Sequence, residues 1–375
     1  MPKNLVVCCD GTANEFARDH TNVLKLFSAL VQDPERQLAF YHPGVGTMEA
    51  VGALTSTARG VTKLLGKAIG YGLETDIRDA YASVMAFYEE GDRLFLFDFS
   101  RGAYTVRAVA SLLHMHGLMR RGQERLIPYA IRMLSALNRE EAETGARTRR
   151  AARRAFFEQA ERFKATFSGL DCAPHFVGVW DTVSSVGWVE NPLTLPYTAN
   201  NPSIRIGRHA VSIDERRAFF RTNLWRPNPS PAPSGPADLK QVWFPGAHKD
   251  VGGGYPEAES GLSKFALEWM ASEAHKAGLL IHRGKLDLVM GRAGEGYAPA
   301  DADGPIHESL RGWWRLAEFV PKKRFDWATG QRRRRSNLFR RRALPKAPAV
   351  HEAAFLRRGY RPPPGAVRVR TDPIP

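Results

Sequence analysis

Cysteine is scarce in this chain: Cys8, Cys9 and Cys172 are the only three in 375 residues. Cys8 and Cys9 are neighbours, and on a strand they would point to opposite faces, so they cannot seed a disulfide framework. Three thiols at these spacings make no zinc site either, and the expectation is reduced, buried side chains. Long apolar runs are also missing. No window approaches the roughly 18 apolar residues that a membrane span needs. The opening run Leu5-Val6-Val7-Cys8-Cys9 is too short for the apolar core of a signal peptide, and no cleavage site follows it. These absences predict a protein that is soluble and cytoplasmic when made, with export without a signal peptide left open. Recognised nucleic-acid modules are lacking, and no aromatic stacking pattern accompanies the arginines, so nucleic acid is not an expected partner.

The composition that remains, 43% hydrophobic and 25% charged, is that of a folded protein large enough to bury a core without disulfides or metal. The net charge of +15 is unevenly placed. From Arg311 to Arg370 there are 18 Lys and Arg against three acids, Glu318, Asp326 and Glu352. The densest parts are Arg332 to Arg335 and Arg340 to Arg342, with Leu338 and Phe339 between them. Such a block is either a solvated, flexible charge run or an electrostatic anchor for an anionic membrane surface.

The first half alternates strand-like and helix-like segments. Leu5 to Cys9, Leu38 to His42 and Asp92 to Phe97 read as strands, while Thr75 to Glu90 and Arg101 to His116 carry apolar residues at helical spacing. Later strands are expected at His175 to Trp180 and at Lys240 to Phe244, the last clear core strand. This alternation predicts an α/β fold with a mostly parallel central sheet and helices on both faces. A helical insertion, about 123–168, carries Phe156, Phe157, Ala160, Phe163 and Phe167 at helical spacing. It would serve either as a lid over a pocket or as one more surface-packed insert. The expected division is a catalytic domain over 1–345 and a Pro/Arg-rich tail over 346–375, lying along the surface or partly disordered.

Three segments carry chemistry. Phe97-Asp98-Phe99-Ser100-Arg101-Gly102 is a strand running into a helix with a serine at the turn. A serine there is thrust out of the sheet edge, and the backbone N–H of Arg101 would face a developing oxyanion. Small residues are wanted two before and two after that serine; Gly102 meets the demand and Asp98 does not. Val179-Trp180-Asp181-Thr182 places an acid just off a strand end. Trp243-Phe244-Pro245-Gly246-Ala247-His248 places a histidine in the glycine-rich loop after a core strand. The order Ser100, Asp181, His248 is that of α/β-hydrolases, with His248 as base and Asp181 fixing its tautomer. A second oxyanion N–H would come from Gly11 or Thr12. Singly these residues are commonplace: a serine at a helix start is usually an N-cap, and an aspartate after a strand usually a turn residue. In this order, each at a strand end, they point to a nucleophile, an acid and a base. Asp10 and Asp250 could reach a cation, though buried hydrogen-bonding roles in turns suit them better. No cofactor and no metal is required.

The sequence resembles the catalytic domain of the type VI secretion phospholipase effectors, in the Tle-type α/β-hydrolase family of bacterial and fungal proteins. The resemblance rests on Cys9-Asp10-Gly11-Thr12, on Tyr41-His42-Pro43-Gly44-Val45-Gly46-Thr47, on the Ser100 elbow, on Gly178 to Val183 and on Trp243 to His248. It continues weakly through Asp214-Glu215-Arg216-Arg217 and Glu268-Trp269-Met270. It implies hydrolysis of a carboxylic ester, a lipid or phospholipid, with Ser100, Asp181 and His248 as the triad. Two departures stand out: the family's elbow glycine is Asp98, and Lys249 follows His248 where a small polar residue is usual. Asp98 and the basic tail together motivate an alternative, a catalytically weak hydrolase fold that serves as a binding module. The natural ester and the oligomeric state stay open.

Overall fold

The computed structural model describes residues 2–374 apart from 12–18, 45–57, 101, 144–145, 184–186, 189–190, 193–194, 219, 221, 226–234, 313, 320–321 and 327–330. Eight strands form one sheet: β1 (Asn4–Asp10), β2 (Gln37–Pro43), β3 (Arg93–Phe99), β4 (Pro174–Trp180), β5 (Ile206–Ser212), β6 (Asp238–Phe244), β7 (Ala349–His351) and β8 (Val367–Val369). Their order is β8-β7-β6-β5-β4-β3-β1-β2, and every pair is parallel. A parallel sheet must be covered on both faces, which is why its central strands read as continuous apolar runs.

Strand alternation divides those runs. Leu5, Val7, Cys9, Leu94, Leu96, Val177 and Val179 bury against α2 (Ala58–Phe87) and α3 (Gly102–His116). Val6, Cys8, Phe95, Phe97, Phe99, Phe176 and Trp180 bury on the other face, against α1 (Asn22–Ser28) and α7 (Gly261–Lys276). The helical insertion is α4 (Ile127–Glu143) and α5 (Ala146–Phe167). Ile131, Leu134, Phe156, Ala160 and Phe163 join the α2–α3 core. The three cysteines are free and buried.

Two expectations are corrected. Strand β5 was not legible because Arg208 and His209 interrupt its apolar pattern; both are buried, Arg208 beneath ion pairs to Asp238 and Glu273. The segment after residue 345 is not a tail, and β6 is not the last core strand. Strands β7 and β8 extend the sheet, with Val350 fully buried opposite Trp243. A three-residue strand is too short to show a period of two, and Pro and Arg around it mask its few apolar residues. The arginine run 331–335 also takes a defined form: it pairs antiparallel with Lys322–Asp326.

Register brings the carboxyl ends of four strands to one level. Asp10 pairs with Phe99, Phe99 with Trp180 and Trp180 with Ala210. Gly11, Ser100 and Asp181 therefore leave neighbouring strands together. The chain runs from β1 to β2 on one side and returns with β3 on the other, so this edge is a topological switch point, where open α/β sheets form their crevices.

Candidate active site

Ser100 adopts a φ of +66°, in the left-handed region, between the end of β3 and the start of α3. A residue with a Cβ is held there only by its surroundings, at a cost of about 1–3 kcal/mol. Part of what holds it is the bond from the Ser100 backbone N–H to Trp180 O, 3.1 Å. Asp181 is also left-handed, at φ +39°, and its N–H donates to Ala210 O at 2.7 Å. Both side chains are thereby turned off their strand ends.

His248 opens the short helix α6 (His248–Gly252), whose start is fixed by the Asp250 carboxylate accepting the Ala247 N–H at 2.8 Å. Its ring nitrogens are both used. Nδ1 lies 2.5 Å from Asp181 Oδ2, and Nε2 lies 2.7 Å from Ser100 Oγ. An ionised carboxylate can only accept, so Nδ1 carries the hydrogen and Nε2 is left to accept from the serine hydroxyl. The ring sits between Phe99 and Phe220, with centroids 4.7 and 4.8 Å away. Gly252 is required for that packing, since a Cβ there would lie 1.9 Å from the Phe99 ring. The His248 backbone N–H donates to Glu215 Oε2 at 3.3 Å, and Arg217 holds the same carboxylate at 2.9 Å.

The charges follow from burial and partners. Burial lowers the tendency of His248 to protonate, and Arg217 adds to this; Asp181 pulls the other way, and the imidazole stays below its ordinary value of 6.5. Burial works against the Asp181 carboxylate, yet Arg342 and His248 hold it far below the usual carboxylate range. Burial also opposes Glu215, but Arg217 keeps it down at about 2.

Arg342 was hidden from sequence reasoning. Its guanidinium donates to Asp181 Oδ1 at 2.5 Å and Oδ2 at 3.1 Å, to Ser212 Oγ at 2.7 Å and to Phe220 O at 2.6 Å. A residue read as one of seven surface arginines thus touches the acid itself. Within an arginine run, charge alone carries no sign of which side chain turns inward.

Asp98 is fully buried and faces away from His248, on the opposite side of β3 from Phe99. Its Oδ1 accepts the Phe99 N–H at 2.6 Å. Burial pushes its carboxyl well above the usual range, with the nearby Asp10 adding to this. Gly11 stands beside the elbow. Thr12 and Arg101 lie outside the described residues, and Gly102 begins α3. Asp10 accepts from Thr21 and from Tyr41, the latter at 3.0 Å, and burial raises its carboxyl to about 6 despite those bonds. Asp250 meets His307 Nδ1 at 2.6 Å as well as the Ala247 N–H. Both acids therefore brace turns, and among the described residues no cluster suited to a metal ion occurs. Lys249 donates to Gly254 O at 2.9 Å, away from the His248 ring.

Comparison with known proteins places these features in a family. Residues 3–273 match the family described as type VI secretion system (T6SS) phospholipase effector Tle1-like, catalytic domain. The uncharacterized protein YEL023C of Saccharomyces cerevisiae is 33% identical over 235 residues, 60% of this chain and 33% of that protein. The chain thus spans about a third of the length of that relative. An uncharacterized protein from Pseudomonas aeruginosa aligns at a TM-score of 0.43 and 19% identity, over 75% of this chain and 47% of its own. The Tle1 effector bound to the VgrG spike of the type VI secretion system aligns at 0.35 and 16%, over 70% and 53%. With nearly three quarters of its length matched, the chain belongs to the Tle1-like phospholipase effector family, by way of that family's catalytic domain.

Proposed function

We propose that the protein hydrolyses carboxylic esters of phospholipids or related lipids through an acyl-enzyme, with Ser100 as nucleophile, His248 as base and Asp181 as acid. The observation that carries this reading is the unbroken line Ser100 Oγ–His248–Asp181, with spacings of 2.7 and 2.5 Å and every member buried. Membership of a phospholipase effector family supports the lipid substrate.

In this mechanism His248 Nε2 removes the hydroxyl proton as Ser100 Oγ bonds to the ester carbonyl carbon. The carbonyl oxygen becomes an oxyanion, for which the backbone N–H groups of Arg101 and of Gly11 or Thr12 are the proposed donors. Collapse breaks the bond to the alcohol, which leaves with the proton from His248, and the acyl group remains on Ser100. Water, deprotonated by the same nitrogen, then releases the carboxylic acid and restores the serine. Asp181 keeps the tautomer and offsets the imidazolium charge. The binding-module alternative is weakened, because Asp98 lies on the side of β3 turned away from His248.

The test is release of fatty acid from diacyl phosphatidylglycerol and phosphatidylethanolamine vesicles, by wild type and Ser100→Ala. Release by the wild type alone supports the reading. Equal release by both proteins, or none by a wild type that also leaves soluble esters intact, rejects it.

A further inference from the structure

Arg342 sits in a segment built to deliver it. Glu318, fully buried, accepts the Ala218 N–H at 2.6 Å, the Asn337 side-chain amide at 2.5 Å and the Phe339 N–H at 3.2 Å. The Asn337 and Leu338 N–H groups also converge on the Glu318 carbonyl, at 3.1 and 3.3 Å. Leu338 and Phe339 then turn the chain through positive φ, +48° and +62°. The arginines that follow part company: the Arg341 side chain is 73% exposed and that of Arg342 only 8%. The strap is thus fixed at Glu318 on one end and at Asp181 on the other.

We propose that Arg342 is a positioning residue of the active site, which locks the Asp181 carboxylate in the orientation His248 needs and sets the pH range over which His248 works. The inference rests on the Ser100–His248–Asp181 reading given above. It assigns a function to a residue outside the family-matched 3–273.

The geometry does the locking. Each Asp181 oxygen is bound twice: Oδ1 by Arg342 and the Ser212 N–H at 3.0 Å, Oδ2 by Arg342 and His248. The planar guanidinium also reaches Ser212 Oγ and Phe220 O, so its own plane is fixed by β5 and by the loop that packs on His248. A lysine keeps the charge but cannot span those acceptors.

The charge sets the pH range. When His248 takes up a proton from solvent, a lone Asp181 carboxylate would leave the buried site neutral; with Arg342 present the site carries a net positive charge. Among the described residues, the other groups facing this centre are Arg217 and Glu215 from the loop after β5, and His209 from β5 with Arg107 from α3 behind it. Arg217 and Glu215 bind each other, and His209 is neutral because burial holds it well below 6.5. Arg342 thus takes up the Asp181 charge that would otherwise favour the imidazolium, which keeps His248 unprotonated at lower pH.

The experiment is the pH dependence of kcat and kcat/KM on p-nitrophenyl butyrate for the full chain, comparing wild type, Arg342→Gln, Arg342→Lys, Arg341→Gln and Ser100→Ala, each with its Tm. Removing a unit charge from this buried site should move the acid limb of Arg342→Gln upward by about one pH unit. Loss of orientation should lower kcat about tenfold with KM little changed. Arg342→Lys should keep the limb near that of the wild type but lose kcat, and Arg341→Gln should match wild type. A folded Arg342→Gln with the wild-type limb and kcat overturns the proposal. Should that variant not fold, wild-type kcat in Arg342→Lys overturns it and reduced kcat supports it. Hydrolysis that survives Ser100→Ala marks instead the failure of the triad reading.

Discussion

Arg342 donates to both carboxylate oxygens of Asp181, at 2.5 Å and 3.1 Å, while His248 holds one of those oxygens from the other side. Removing the carboxylate charge therefore has two separate effects. Asp181→Asn should cut turnover by a factor on the order of 10⁴, as loss of the acid does in other triads. It also strips the arginine of the anion it binds, and breaking a buried pair from one side costs about 3 kcal/mol or more. Urea unfolding checks the second effect. A variant as stable as wild type would mean that Arg342 is not paired in solution.

Because burial keeps His248 below 6.5, the acid limb of kcat/KM should have its midpoint below that value. The sign is that of a base inactivated by protonation: activity rises with pH through the imidazole and then levels off. A profile measured from roughly pH 4.5 to 8 gives the answer. A midpoint above about 7 would contradict the burial argument.

Asp98 gives a stability prediction of opposite sign to that of a salt-bridged acid. Its carboxyl is raised well above 3.8 by burial, so its contribution to stability is fully present below 3.8 and is lost as pH rises toward the folded value. Asp98→Asn cannot ionise. Its Tm relative to wild type should therefore climb as the pH is raised from about 4 toward neutral. A constant difference across that range would place an ionised Asp98 in the fold. Asp98→Gly, which restores the small residue the elbow prefers, should keep the fold and raise turnover; a sharp fall would give Asp98 a catalytic part.

The basic C-terminal segment should hold the protein at anionic bilayers. Each Lys or Arg near such a surface contributes about 1 kcal/mol, screened beyond a Debye length of roughly 8 Å at physiological salt. The variant for this test changes Arg332 to Arg335, Arg340 and Arg341 to Gln and spares Arg342, which belongs to Asp181. Co-sedimentation with phosphatidylglycerol vesicles should fall for the variant and fall for wild type as salt rises. Turnover of a soluble ester should not change. Equal sedimentation of both proteins returns the segment to a plain solvated charge run.

The parts of this fold that could be read from sequence are those where burial imposes a pattern. Leu5 to Cys9 and Leu94 to Phe97 are apolar on both faces because the sheet is covered on both faces, and the strands follow from that. Ser100, Asp181 and His248 drew notice because each interrupts the pattern at a strand end. Strand β5 escaped because Arg208 and His209 are buried by ion pairs and hydrogen bonds, not by apolar character. Val350 in β7 is surrounded by too few residues to set a period. Arg342 escaped for a related reason: its inward turn is decided by Glu318 and the positive φ of Leu338 and Phe339, which no local pattern announces.

The central claim is that Ser100 is a nucleophile activated by His248. Intact-protein mass spectrometry after treatment with a fluorophosphonate tests it without knowledge of the natural ester. The account predicts one phosphonyl adduct, mapped to Ser100, that disappears in both Ser100→Ala and His248→Ala, since an unassisted serine hydroxyl is a poor nucleophile at neutral pH. An adduct that persists in both variants, or that maps to another residue, would contradict it.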